Sequence, residues 1–345
     1  VIEAILGDYD IDGAVRAAAE RAAVHLTRID ARRTRVKMRV LAAFLDEGIA
    51  ESDLAGSTGY GYDDAARDRY ESLLARYFRA ERVLARLSIV SGTHAIVAAL
   101  DALTGPGQVL LCANGAPYDT LAFAITSAPY SLAAHGVVYA DVPRTASGAT
   151  DLAALSLAVT QREPAVVFVQ RSRGYATRRS LSVDDIASIV DTVRATGSRA
   201  CIVVDNCYGE LVEEREPLEA GADVLIGSLI KNIGGGLAPT GGYIAGRADV
   251  VERIAARIFA PGIGAGLGPT LGLGRAWIQG FFYAPLIVGE TLRGLDFAAA
   301  LFRELGFSVD PVAGAERVDI VQAIRLGTPQ RLIAFARGLQ RTLPI

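Results

Sequence analysis

Lys231 stands in the stretch Gly227-Ser-Leu-Ile-Lys-Asn-Ile-Gly-Gly-Gly236, after an apolar run and before a set of glycines. A lysine amine can condense with an aldehyde to an imine, and the hydroxyl of Ser228, three positions earlier, can reach an anionic group nearby. The chain otherwise avoids lysine. Of 35 lysines and arginines only Lys37 and Lys231 are lysine, and a guanidinium cannot replace an amine that must form a covalent bond. Lys37 lies in a basic helical stretch, Arg32-Arg-Thr-Arg-Val-Lys37, and reads as a solvated charge.

Asp205 closes the apolar run Cys201–Asp205 (CIVVD), at the carboxyl end of an expected parallel strand, where ligands bind in such sheets. A carboxylate there can keep a pyridine nitrogen protonated; the alternative is a helix N-cap. Its separation from Lys231, one β-α-β step, favours the first role. Gly92 and Thr93, in Ser91-Gly-Thr-His-Ala95, stand at a helix start, where free backbone amides hold an anion such as a phosphate. His94 beside them could touch a ligand or be structural. Tyr118, in Ala116-Pro-Tyr-Asp-Thr120, can lie flat on a heteroaromatic ring or pack at a core edge. An imine-forming amine, a ring-nitrogen carboxylate, a phosphate cradle and a stacking phenol together point to pyridoxal 5'-phosphate. Glycines over 262–274 fit neither of the two common nucleotide-loop spacings, and no cluster has the spacing of metal ligands.

These residues need elements to hold them. Residues 11–50 read as an amphipathic helix, 56–62 as a turn-rich stretch, and 63–87 as helix again. Ser88–Val90 leads into a helix over Ala95–Leu103, and Gln108–Ala113 is a short apolar run. Ala165–Gln170 (AVVFVQ), Cys201–Asp205 and Val224–Gly227 read as buried parallel strands, with a helix over Leu181–Ala195 whose first turn is acidic. Alternating strands and helices imply an α/β fold on a mainly parallel sheet. Helices over Pro285–Leu305 and Pro329–Leu339, with a strand over Gly306–Val309, mark a smaller C-terminal domain. The organisation expected is an N-terminal helical arm and dimer-contact segment over 1–62, a large α/β domain over 63–284, and a small domain over 285–345.

Apolar residues make up 51% of the 345 and charged residues 21%, as in a globular enzyme rather than a disordered chain. A net charge of −3 invites neither nucleic acid nor an anionic membrane, and no apolar run reaches the roughly 18 residues of a membrane span. Val1–Asp10 lacks the basic start and cleavage site of a signal peptide. Cys112, Cys201 and Cys207 read as reduced thiols, so a cytoplasmic location is expected.

The ordered motifs TGYGYDD (58–64), IVSGTHA (89–95), PYDTL (117–121), QRSRGY (170–175), VDNCYGE (204–210), GSLIKN (227–232) and APGIG (260–264) resemble those of one group. It is the methionine γ-lyase-like or "aluminium resistance" family of pyridoxal-phosphate enzymes, among the cysteine and methionine lyases of the aspartate-aminotransferase fold (fold type I). The resemblance covers most of residues 30–340. It implies that Lys231 carries the cofactor and moves the substrate's α-proton, that Asp205 pairs with the ring nitrogen, and that Tyr118 stacks on the ring. Gly92, Thr93 and Ser228 are then phosphate ligands. Tyr60 and Tyr62 are lent to a neighbouring subunit, making a homodimer or homotetramer with shared active sites. Arg171 or Arg173 could bind a substrate carboxylate bidentately, although the resemblance places the main carboxylate arginine in a segment beyond Ile345. The implied reaction is α,β- or γ-elimination on an amino acid, sulfur-containing or otherwise Cγ-substituted, for example by halogen. An aminotransferase and a non-catalytic pyridoxal-phosphate-binding regulator are the alternatives. Burial and a neighbouring cation are expected to depress the pKa of Lys231.

Overall fold

The computed structural model describes residues 11–343, so the reading of Val1–Asp10 falls outside the described residues. The chain begins with helices α1 (Ile11–Glu47) and α2 (Ala65–Phe78). It then alternates: β1 (Arg82–Arg86), α3 (Gly92–Leu103), β2 (Val109–Cys112), α4 (Asp119–Thr126), β3 (Val138–Asp141), α5 (Leu152–Arg162), β4 (Val166–Gln170), α6 (Val183–Ala195), β5 (Cys201–Asp205) and β6 (Val224–Ser228). After β7 (Gly242–Gly246) come α7 (Ala248–Ile258), α8 (Gly274–Glu304), β8 (Ser308–Asp310), β9 (Ala323–Arg325) and α9 (Pro329–Thr342).

Seven strands form one sheet in the order β1-β7-β6-β5-β4-β2-β3. Only β7 runs against its neighbours β1 and β6; the pairs from β6 to β3 are parallel. Successive side chains of the central strands enter opposite layers, as the two-residue strand period requires. Val166, Phe168 and Val203 pack with α3 and α7, while Val167, Val169, Ile202 and Val204 pack with α5 and α6. A third cluster joins Val36 and Val40 of α1, Tyr70 and Tyr77 of α2 and Phe281 of α8 against Leu225 and Tyr243 of the sheet. With both faces covered, the continuous apolar runs VVFVQ and CIVVD are the compositions such strands require.

The central strands and α6 fall where the sequence places them, and two readings are corrected. The helix expected over 63–87 stops at Phe78, because Arg79 turns left-handed (φ 57°) and caps it. Residues 82–86 then pair with β7; five apolar-rich residues carry no period that separates helix from strand. In β7, flanked by glycine, a Cβ on Gly246 would lie 2.3 Å from the Asp223 carbonyl oxygen. Its glycine serves close strand approach. Finally, Pro285 does not open a helix but lies inside α8, which runs through the division expected at 285.

Lys37 is likewise no solvated charge. It is half-buried, donates to the Phe282 carbonyl at 2.5 Å, and sits 3.1 Å from the centroid of that ring. Burial lowers its pKa, and a compact ammonium fits over the ring face on the turn before Pro285.

Phe281 is fully buried, with edge contacts to Tyr70 and Tyr77 and a stacked contact to Phe44. Phe281→Ala should lower unfolding free energy by about 3–5 kcal/mol, read as an earlier urea midpoint than wild type.

Candidate active site

The parallel strands end together. Gln170 of β4 is in register with Asp205 of β5, and Ser228 ends the adjacent β6. Beyond this edge lies a cavity of about 480 Å³. Gly92, Thr93, Tyr118, Asp205, Ser228 and Lys231, all singled out from sequence, line it together.

Each is held for a local reason. Ser91 caps α3 by accepting from the His94 amide at 3.0 Å, which leaves Gly92 and Thr93 in the first turn, where amides have no intrahelical acceptor. Gly92 packs closely there: an added Cβ would lie 3.1 Å from Cys207 Sγ and 3.4 Å from Ser228 Cβ. Tyr118 precedes α4, its amide donating to Gln170 Oε1 at 3.1 Å and its phenol paired with Thr93 Oγ1 at 2.9 Å. Burial raises that phenol's pKa. Asp205 is buried and accepts from the Cys207 amide at 3.1 Å. Burial pushes its carboxyl above the ordinary range, opposed by the bonds from Cys207 and by the charges of Lys231 and Arg178. A cation brought against that carboxylate would relieve its desolvation.

Lys231 follows β6 directly and is half-buried. Its Nζ donates to the phenol oxygen of Tyr208. The expected depression of its pKa is not found for the free amine. Burial does pull it down, but the Tyr208 hydrogen bond and the charges of Tyr208, Cys207 and Glu210 outweigh burial and raise it above 10.5.

Other candidates lie elsewhere. His94 accepts from the Val90 amide through Nδ1 at 3.3 Å and is not part of the cavity wall. Arg171 is fully buried beneath the sheet edge, bonded to Asn206 Oδ1 and Glu213 Oε2 at 2.6 Å each. Arg173 pairs with Asp310 at 2.6 Å and faces a neighbouring cleft. Arg171 is thus closed inside the fold by the chain's own acids, Arg173 is paired with a largely exposed one, and neither lines the cavity that holds Lys231. Tyr60 and Tyr62 stand apart from the cavity, 75% and 63% exposed. Their loop is rigid nonetheless: the Asp64 carboxylate accepts from Ser57 and Thr270, and Gly268 donates to the Tyr60 carbonyl at 3.0 Å.

Sequence reasoning missed Tyr208, Gln170 and the segment Ile320–Gln322, all in the wall. Tyr208 sits inside a motif already noticed, but its left-handed backbone (φ 70°) leaves no signal for a bulky residue. Ile320–Gln322 arrive through tertiary contacts, as Asp319 accepts from Ser172 at 2.8 Å and from Ser180. Among the described residues no helix is long and apolar enough to cross a membrane, and no group of acidic, histidine or cysteine side chains could hold a metal ion.

The sequence model described as methionine gamma-lyase matches residues 12–345. The chain belongs to the methionine gamma-lyase family. It is 39% identical over 336 residues to the uncharacterized protein YnbB of Bacillus subtilis (strain 168), covering 96% of this chain and 79% of that one. The solved carbon-sulfur lyase involved in aluminum resistance from Clostridium novyi NT superposes with a TM-score of 0.93 at 38% identity, over 97% of this chain and 81% of that one. The pyridoxal-5'-phosphate dependent protein YhfS of Escherichia coli, at 20% identity, superposes with a TM-score of 0.68 over 92% of this chain and 82% of its own. That last match shares the fold alone. The architecture is fold type I, as expected.

Below the cavity, Glu210 is fully buried. Burial raises its carboxyl from 4.5 to about 8, against a bond from the Tyr243 hydroxyl at 2.9 Å. The folded state therefore holds a proton that the unfolded chain releases, so stability is lost as pH rises from about 4.5 to about 8. Glu210→Gln should remove this slope, its stability advantage over wild type growing across that window in chemical denaturation run at a series of pH values.

Proposed function

We propose that this protein binds pyridoxal 5'-phosphate on Lys231 and catalyses β- or γ-elimination on an amino acid, with sulfur as the leaving group. The observation carrying this is the meeting in one cavity of Lys231, Asp205, Tyr118, Ser228 and the first-turn residues Gly92 and Thr93. The residues fit the group: an amine for its aldehyde, a buried carboxylate for its ring nitrogen, and donors around a space that the missing Gly92 side chain keeps open. When bound, the cofactor supplies the aldehyde and an electron-withdrawing ring that stabilises negative charge at the substrate's Cα.

The protein's part is binding, orientation and proton management. Ser228 and the Gly92 and Thr93 amides hold the phosphate. The Asp205 carboxylate keeps a proton on the ring nitrogen. Tyr118, fixed by Thr93 and Gln170, covers the ring face. As a free amine, Lys231 would take the proton from the substrate's Cα. Ile230, Ile320 and Val321 give the cavity an apolar wall, suited to an uncharged thioether side chain. The exposed Tyr60 and Tyr62, on a loop pinned by Asp64, would reach the phosphate of a second copy, giving a homodimer or homotetramer. A cytoplasmic location is part of the same proposal.

Incubation with pyridoxal phosphate, borohydride reduction and peptide mapping should label Lys231. Lys231→Ala should carry no label and lose at least about 10²-fold in ammonia release. A keto acid formed without ammonia would replace elimination by amino transfer. Failure of every amino acid to exchange its α-proton in deuterated water would favour a regulatory binding protein.

A further inference from the structure

We propose that Tyr208 is the positioning residue of Lys231, holding the lysine amine by its phenol whenever that amine is not covalently engaged. This rests on Lys231 being the cofactor lysine. The lysine Nζ donates to Tyr208 Oη and lies 3.7 Å from the centroid of the same ring. A four-carbon stem with a freely turning ammonium gives up much rotamer entropy when fixed, so an amine that is repeatedly released needs a stationary partner to keep its direction.

The backbone is built to supply that partner. Tyr208 is left-handed at φ 70°, a conformation that is costly for a bulky residue and persists only where surroundings impose it. Here the Tyr208 carbonyl accepts from Asn232 Nδ2 at 3.1 Å and from the Ile320 amide at 3.2 Å. Asn232 also donates to the Glu210 carbonyl at 2.8 Å. The residue adjoining Lys231 therefore clamps the chain on both sides of Tyr208's neighbour Gly209, and lysine and phenol are fixed by one set of bonds. The Tyr118 phenol is paired with Thr93 instead. The two tyrosines divide the work: Tyr118 serves the ring, Tyr208 the amine.

The charged and titratable groups around the amine are Asp205, Cys207, Glu210 and Tyr208, with Arg178 and Tyr118 facing Asp205. Without the phenol oxygen, the burial that disfavours an ammonium is left less opposed, so Tyr208→Phe should release the lysine proton at lower pH. The two-lysine composition makes this directly measurable. Protein grown on lysine labelled with 13C at Cε gives one resonance for Lys231 and one for Lys37, the latter ring-shifted by Phe282 and thus a marker of intact folding.

In cofactor-free Tyr208→Phe, the Lys231 midpoint is expected to fall while the Lys37 resonance stays in place. In the loaded enzyme, kcat should drop with KM nearly unchanged, and the limb of the pH profile that reports the lysine should move the same way. An unchanged Lys231 midpoint in a folded Tyr208→Phe protein overturns the proposal. A second arm needs no Tyr208 variant. In 3-fluorotyrosine-labelled protein, Lys231→Met should displace a tyrosine 19F resonance that in wild type follows the lysine's titration, and no such resonance would equally overturn it. Borohydride mapping separates the two readings. A shifted midpoint with no cofactor label on Lys231 sinks the proposed function and leaves the contact; a label with an unshifted midpoint does the reverse.

Discussion

The register of β4, β5 and β6 is the constraint on which the site depends. Their interiors are buried on both faces, so polar side chains survive only where the strands end. Register then makes Gln170 and Asp205 direct neighbours, with Ser228 one strand further on. A slip of one residue in any pair would turn these groups into the helical layers. Lys231 follows within one turn of that edge, and α3 enters from the opposite side with its first-turn amides toward the same space.

Around this edge the protein spends its acids and arginines on one another. Arg171 is held by Asn206, Glu213 and Glu216, Arg173 by Asp310, and Asp319 by Ser172 and Ser180. Breaking one partner of such a buried set is far costlier than the set's net contribution to stability. These bonds fasten the loops after β4 and β5 to the segment 310–322 and bring Ile320–Gln322 to the cavity. What remains facing the cavity is one amine and one carboxylate, with the hydroxyls, the Gln170 and Gln322 amides and the Cys207 thiol around them.

The two lysines show how rarity and role connect. Both places require a small ammonium rather than a fork of five donors: Lys37 over the face of Phe282, Lys231 against the phenol of Tyr208. Rarity alone singled out both, and only one faces a cavity.

By itself the sequence determined the α/β class, the central strands, the family, and the residues Lys231, Asp205, Tyr118, Ser228, Gly92 and Thr93. Each of these is a local fact: a residue type at the end of an apolar run or the start of a helix, positions where backbone geometry decides what a side chain can meet. Tertiary structure alone decided that Arg171 and Arg173 are neutralised inside the fold, that 82–86 and 242–246 are strands, and that Tyr208 and Ile320–Gln322 complete the wall. Those outcomes depend on partners far along the chain, up to 164 positions away. No spacing or period along the chain encodes which acid an arginine will meet, or that a tyrosine will be held left-handed against the one lysine that faces the cavity.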